Sequence, residues 1–528
     1  MSTPAHQLIL ASAGTGKTYQ LTNQLLRLLF REVDPERVLA TTFTRKAAGE
    51  ILDRALGRLV EAAEYPEKLD ELREALGSPD ITADRCRALL SKLVRGLDTL
   101  QVRTIDSFFV HLIHLFALDL EIPPTWGISG EGEDEILRAE AMQDVLEETP
   151  RDEAIRLLRG LDAGAVGRSV HQKMLEYAGK MRPVFLESAE GAWERVDPGA
   201  KPSEQEFAAA LAALPEAEIP TTKKGEPHKS WVKARNAVVM AASDREWEKI
   251  LTRGLGKAFL GPEQTYSGTP IPDALAEHLA PIVRRAVYEF LVTLRARNRA
   301  THSLLERFES SFSQRKRDRG AYRFDDLPLA LSPRAASELP IDARSLDMWF
   351  RLDSRIDHLL LDEFQDTSPI QWRILHKMAS EIAADGTGER TFFCVGDVKQ
   401  SIYGFRHAEP RLLAELPRML PGLQPEEIHE SYRSSQVVLD TVNRVFSGVE
   451  NNAALAHEDA AAYLLGARRW QDGFREHTAA KNLPGATFLV ESRERASDER
   501  GDDNALLERA VGRAVLISRE APDATVGI

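Results

Sequence analysis

Residues 11–18 read Ala-Ser-Ala-Gly-Thr-Gly-Lys-Thr, with Leu8-Ile9-Leu10 ahead and the helix-like stretch Lys17–Phe30 behind. A glycine turn between a strand and a helix aims successive backbone N–H groups at one point. The helix adds its positive dipole end and a lysine adds a point charge, so together they can cradle phosphates. The usual pattern, G-x-x-x-x-G-K-[ST], wants glycine where this chain has Ala11, at the strand end where a methyl group is tolerated. Gly14 and Gly16, nearest the phosphates, are both present. The candidate nucleotide-binding residues are therefore Ala11, Ser12, Ala13, Gly14, Thr15, Gly16, Lys17 and Thr18. Lys17 would reach the β/γ-phosphates and the Thr18 hydroxyl would sit on Mg²⁺. Taken alone, the segment has a bland alternative: a glycine-containing turn that binds nothing.

A second element bears on the same chemistry. HLLLDEFQD, residues 358–366, is an apolar strand running straight into acids. Asp362 at a strand end can hold Mg²⁺, and Glu363 beside it can polarise an attacking water. An acidic loop after a buried strand is common by itself. Both elements in one chain, each in strand-then-loop context, point to hydrolysis of a nucleoside triphosphate. Asp366 suits a structural hydrogen bond as well as a catalytic role.

Elements must position these groups. Residues 1–110 alternate apolar runs with amphipathic stretches: LILAS before Lys17–Phe30, VLATTF before Lys46–Tyr65, and LQVRT before TIDSFF. Such β-α alternation predicts a parallel sheet covered by helices. Residues 111–320 carry long Ala/Leu/Glu/Arg-rich helical patterns without a repeat, which predicts a helical insertion. The alternation returns with HLLLDE, TFFCVGD, EEIHES and ATFLVE, while Pro417, Pro421 and Pro425 suggest a lobe boundary near residue 420. The expected architecture is α/β: a first lobe from 1–110 plus 321–420, the insertion over 111–320, and the start of a second lobe over 421–528.

Bulk properties limit the function classes. A 528-residue chain that is 43% hydrophobic and 28% charged is an ordinary globular protein of two or three domains. Two cysteines, Cys86 and Cys394, give no disulfide framework and suit a reducing, cytoplasmic setting. No signal peptide is evident, and no apolar run approaches the ~20 residues that cross a bilayer. A formal charge of −14 argues against a surface that coats nucleic acid throughout, but allows a local basic channel. Charge is segregated: Met1–Val60 holds eight Lys/Arg against five Asp/Glu, and Glu121–Pro150 one Arg against nine acids. The basic stretches Arg315–Arg319 and Lys223-Lys224 with Lys229 are candidates for attracting backbone phosphates.

The ordered motifs resemble those of superfamily 1 DNA helicases of the UvrD/RecB/AddA type, in which the phosphate loop often begins with Ala. TTFTRKAAGEI (41–51) resembles motif Ia, TIDSFF (104–109) motif Ic, and DEFQD motif II. VGDVKQSIYGFRHAEP (395–410) resembles motif III and HESYRSSQVVLDTVN (429–443) motif IV. RGAYRFDDL (319–327) resembles the return from the inserted domain to the first lobe. DVKQSIYGFR followed by Ala-Glu-Pro leans toward the AddA/RecB branch. The resemblance covers the β-α zones and not the insertion.

The resemblance implies a RecA-like P-loop sheet, an incomplete second RecA-like lobe, and a 3′→5′ DNA helicase or translocase of repair or recombination using ATP and Mg²⁺. It makes Gln400 a γ-phosphate sensor, Arg433 a γ-phosphate donor from the second lobe, and Tyr432 a stacking partner for adenine. Phe43, Tyr403 and Phe405 would stack on successive bases, with core packing as their alternative. Thr42, Thr104, Ser107 and Arg406 would hold phosphates or bases. Expected partners are single-stranded and duplex DNA, a helicase–nuclease partner subunit, and no membrane. Three departures stand out: Asp106 where many members have His, His407 where Gly is common, and no counterpart to the adenine-reading glutamine segment. The family's late motifs are not found before Ile528, so a portion of a longer protein is expected. Two alternatives carry other functions: a module that binds ATP and single-stranded DNA without turnover, and a regulatory P-loop ATPase without unwinding.

Overall fold

A computed structural model of the chain describes residues 6–148, 170–222, 224–331, 356–404, 407–455, 460–488 and 504–521. The frame is a six-stranded sheet, numbered here in chain order: β1 (Gln7–Ala11), β2 (Val38–Thr42), β3 (Gln101–Thr104), β4 (His358–Leu361), β5 (Thr391–Gly396) and β6 (Gln424–Ile428). Their order is β6-β1-β5-β4-β2-β3, with every neighbouring pair parallel. Period-2 alternation divides the strand residues between two apolar cores. Leu8, Leu39, Leu359, Leu361, Phe392 and Cys394 face one core, with the helices Ile105–Phe116 and Pro369–Ala383. Ile9, Val38, Ala40, Leu360, Phe393 and Val395 face the other, with Lys17–Phe30 and Arg45–Glu64. A sheet covered on both faces needs apolar residues at both parities, which is why β2 and β4 are buried throughout.

β6 corrects the expected boundary near residue 420. The segment Gln424–Ile428 pairs along β1, from Gln7 opposite Gln424 to Ala11 opposite Ile428, so the sheet runs past that point. Its Pro425, Glu426 and Glu427 are exposed, as an edge strand allows. Beyond it, Glu430–Ser431 pairs in parallel with Thr478–Ala479, and helices follow at Gln436–Phe446, Ala461–Asp472 and Asn504–Glu520. Of the ATFLVE segment, residues 486–488 are not in a strand and the rest lie outside the described residues.

The insertion is helical, as its composition predicts. It leaves and returns through a two-residue parallel pairing, Gly127–Ile128 with Ala321–Tyr322. Its spine is the 47-residue helix Asp273–Arg319, about 70 Å long at 1.5 Å per residue. Two separate cores lie along it, one around Trp231 and Leu279 and one around Phe308 and Phe312. At the return end Lys316 is buried between Asp134 (3.0 Å) and Asp326, with its ammonium 4.1 Å from the Phe312 ring centroid. Arg315 bonds Asp144 and Glu140, and Arg319 bonds Glu140, each at 2.7–2.8 Å. The basic run 315–319 is thus largely neutralised by acids of the neighbouring helix Glu131–Glu148, which removes most of its expected attraction for phosphates. Lys224 and Lys229 are exposed, and Lys223 lies outside the described residues.

Candidate functional site

The strand order explains how distant motifs meet. β1, β5 and β4 are neighbours, so the loops that leave their carboxyl ends (residues 12–16, 397–400 and 362–366) lie side by side. That crevice is where parallel α/β sheets hold ligands. In the first loop Gly14 and Gly16 have φ of 77° and 90°, left-handed conformations that cost a side chain-bearing residue energy. Thr15 closes the turn through its hydroxyl to the Ser12 carbonyl at 2.7 Å. Gly16 then caps the helix that begins at Lys17, whose first N–H groups are left without helical partners.

Lys17 is buried, and its ammonium donates to Glu363 Oε2 at 2.6 Å and Gln400 Oε1 at 2.9 Å. Lys17 and Glu363 are 346 residues apart in sequence. Glu363 sits at φ 50°, so the chain turns sharply straight after Asp362. The geometry thus brings Glu363 and Gln400 together on the ammonium of Lys17. Thr18 is the second residue of the same helix, half-buried, with its carbonyl accepting from the Thr22 hydroxyl at 2.7 Å.

Asp362 is buried, and one carboxylate oxygen, Oδ1, has no hydrogen-bond partner. Burial, reinforced by the charge of Glu363 and opposed by Lys17, pushes its carboxyl up to about 7. A desolvated, unpartnered carboxylate oxygen calls for a cation or a proton. The hard oxygen donors Asp362 and Thr18 fit Mg²⁺. Among the described residues no cluster of three or more His, Cys, Asp or Glu could hold a metal. Asp366 is also buried, with Oδ1 unpartnered, and burial followed by the Glu363 charge pushes it up to about 6.

Two members of this network escaped the sequence reading. Gln365, fully buried, donates to Glu363 Oε2 at 2.6 Å and accepts from the Asp397 amide at 2.9 Å, tying the β4 loop to the β5 loop. Asp397 in turn accepts from Gln400 Nε2 at 2.9 Å. Gly396 makes room for this bridge, since a Cβ there would lie 2.7 Å from Gln365 Oε1. The only sequence signal for it was the Gln between Phe364 and Asp366.

The chain after β6 approaches from the other side. Tyr432 N–H donates to the Gly14 carbonyl at 2.8 Å, while the Tyr432 side chain is exposed. A Cβ on Gly14 would lie 2.8 Å from Arg433 Cβ and 2.9 Å from Ser431 Oγ. Gly14 is thus required both by its φ and by the closeness of residues 431–433. This places Tyr432 and Arg433 at the phosphate loop.

The other expected contacts divide. Phe43 and Tyr403 lie together, with ring centroids 4.4 Å apart at 35°. Thr42 is buried, with its hydroxyl 3.5 Å from Asp362 Oδ2, so it faces the acidic pair. Thr104 is buried as the cap of the helix Ile105–Phe116, accepting from the Ser107 amide at 3.1 Å, and the Ser107 hydroxyl donates back to the Thr104 carbonyl at 2.8 Å. A helix start consumes these hydroxyls locally. Asp106, the departure in that motif, accepts from Gln371 Nε2 at 3.3 Å. Phe405 and Arg406 lie outside the described residues.

A glycine turn, a buried lysine and an acidic strand end, gathered at the carboxyl edge of a parallel sheet, define a P-loop α/β protein. Residues 2–421 match the UvrD/REP helicase N-terminal domain, and the chain belongs to that family. Its relatives include an ATP-dependent helicase/nuclease subunit from Anoxybacillus flavithermus, 24% identical across 95% of this chain and 43% of that protein. The protein of the same name from Streptococcus equi subsp. zooepidemicus is 25% identical across 97% of this chain and 43% of its own length. That from Exiguobacterium sibiricum is 26% identical across 87% and 40%. The chain thus spans about two-fifths of the length of these curated relatives. Among the described residues, no helix is long and apolar enough to cross a membrane.

Proposed function

We propose that this chain is the motor portion of an ATP-dependent 3′→5′ DNA helicase that translocates on single-stranded DNA in repair or recombination. The observation that carries the reading is the joining of Lys17, Glu363 and Gln400 beside the buried, unpartnered oxygen of Asp362. Lys17 exchanges its carboxylate partner for the β/γ-phosphates of ATP, which frees Glu363 to accept a proton from the attacking water. Thr18 and Asp362 hold Mg²⁺, which when bound neutralises charge on the phosphate oxygens. Gln400 passes between Lys17 and the phosphate, and through Asp397 and the adjoining loop reaches Tyr403. Arg433 adds its positive charge from the far side of the loop, where charge develops in the transition state.

On this reading Phe43 and Tyr403 are the base-stacking face, where stacking contributes ~1–3 kcal/mol per base whatever the sequence. ATP favours closure of residues 431–433 on the loop, hydrolysis releases it, and alternating grip turns the cycle into steps along the strand. The names of the relatives lead us to extend to this protein a helicase–nuclease partner subunit. Strand displacement and ATP hydrolysis by the protein and its Lys17→Ala variant test the reading. Both activities should fall to background in the variant, and unwinding that persisted unchanged would refute it.

A further inference from the structure

Asp106 is the acid that departs from the family's motif Ic, and the assignments above give it no task. It lies in the first turn of the helix Ile105–Phe116, which begins straight after β3. Thr104 at the end of β3 pairs with Thr42, so this turn and Phe43 leave adjoining strand ends at the carboxyl edge of the sheet. An acid in a first turn suits the helix dipole by itself. Here the Asp106 carboxylate also accepts from Gln371 Nε2 at 3.3 Å, on a different element.

Gln371 is committed at both ends of its amide. It stands in the first turn of the helix Pro369–Ala383 and forms a reciprocal cap with Ser368. The Gln371 N–H donates to Ser368 Oγ at 3.3 Å, and the Ser368 N–H donates to Gln371 Oε1 at 3.0 Å. The amide oxygen thus faces a backbone donor and the nitrogen faces a carboxylate, so turning the amide over would set donor against donor and acceptor against acceptor. Ser368 closes the stretch that starts at Asp362 and carries Glu363. Backbone bonds fasten that stretch to its neighbours: the Asp362 N–H donates to the Thr41 carbonyl at 2.8 Å, and the Glu409 N–H donates to the Thr367 carbonyl at 3.1 Å. Phe43, Ile105, Glu363 and Gln371 are among the walls of one small cleft.

We propose that Asp106 and Gln371 are positioning residues that couple DNA to ATP hydrolysis, joining the turn beside the base-stacking face to the loop that holds Glu363. A base stacked on Phe43 fixes the first turn of Ile105–Phe116. Asp106 then holds Gln371, Gln371 holds the Ser368 cap, and the cap sets the loop from which Glu363 meets the attacking water. This line is separate from the one through Gln400 and Asp397, which leads to Tyr403. The inference rests on the DNA-motor reading given above.

ATP turnover by the protein, with and without a saturating oligothymidine, tests it through the ratio of the two rates. Gln371→Glu keeps an acceptor for the Ser368 N–H but sets a carboxylate against Asp106. It should lower the stimulation by DNA about 5-fold or more and leave turnover without DNA at the parent value. Asp106→Asn alone still accepts from Gln371 and should behave as the parent does. In the double variant donor and acceptor trade places, since the new amide donates to the new carboxylate, and stimulation should recover. Stimulation retained in Gln371→Glu, a fall shared equally by turnover without DNA, or no recovery in the double variant would each overturn the inference. A parent whose turnover is unchanged by single-stranded DNA would instead bring down the DNA-motor reading, and the coupling with it.

Discussion

The two sides of the phosphate loop are built by different means. On one side, three loops leave adjacent strands of one sheet and lock together through Lys17, Glu363, Gln365, Asp397 and Gln400, most of them buried. On the other, Tyr432 and Arg433 follow the last strand, are exposed, and meet the loop through the Tyr432 amide and the packing of Arg433 on Gly14. The first side is a rigid cradle assembled by folding. The second is joined to the loop by a backbone hydrogen bond and by packing against Gly14. On the proposed reading, one half fixes the phosphates and the other reports whether they are there.

The largest effects should separate the two sides by stability as much as by rate. Glu363→Gln and Arg433→Ala should each lower the ATP turnover number by about 10³-fold, the scale of a lost catalytic base or of a charge donated to a phosphoryl-transfer transition state. Only the first removes a charge from the assembled cradle, where Glu363 compensates a buried lysine. The melting temperature without nucleotide should therefore shift in Glu363→Gln and stay at the parent value in Arg433→Ala. Equal shifts would mean that residues 431–433 are as much a part of the cradle as the β4 loop.

Acid should act on the cradle side first. His358, at the start of β4, is buried, and burial lowers its pKa from 6.5 to about 4. Between those values the unfolded chain binds the proton and the folded one does not, so this residue's contribution is full above pH 6.5 and lost as pH falls toward 4. A shift of that size corresponds to roughly 3 kcal/mol. Asp362 and Asp366, raised to about 7 and about 6, act with the opposite sign: their burial costs stability as pH rises through those values and relieves it as pH falls. Denaturant titrations from pH 4 to 7 should therefore show a difference between the parent and His358→Gln that shrinks as pH drops. A difference independent of pH would remove the imidazole from the account.

The cradle was the more legible side because its chemistry is written in contiguous residues. A left-handed turn needs glycine at 14 and 16, and a strand ending in Asp-Glu declares itself at 362–363. What sequence did not disclose is pairing across long distances. Pro417, Pro421 and Pro425 read as a break between lobes, yet Pro425 lies in an edge strand, which tolerates a proline. The run from Arg315 to Arg319 read as a phosphate attractor because its partners, Asp144 and Glu140, lie on a helix more than 170 residues earlier. Thr42 and Thr104 show a third limit: a hydroxyl has the same type whether it meets a phosphate, a carboxylate or a helix start, and here burial decides.

The smallest expected effect joins the two sides at one residue. Gly14→Ala introduces a Cβ at φ 77°, a conformation that costs roughly 1–2 kcal/mol for an L-residue. The same atom would stand 2.8 Å from Arg433 Cβ and 2.9 Å from Ser431 Oγ, too close for either, so something must move. The cradle is interlocked by side-chain hydrogen bonds, whereas Tyr432 and Arg433 are exposed, and the displacement should fall on the latter. Nucleotide affinity, which the cradle supplies, should then drop only a few-fold, while the turnover number falls further because Arg433 no longer reaches the phosphates. If affinity dropped as far as turnover, the strain would have entered the loop itself, and the division between a fixed half and a movable half would not hold.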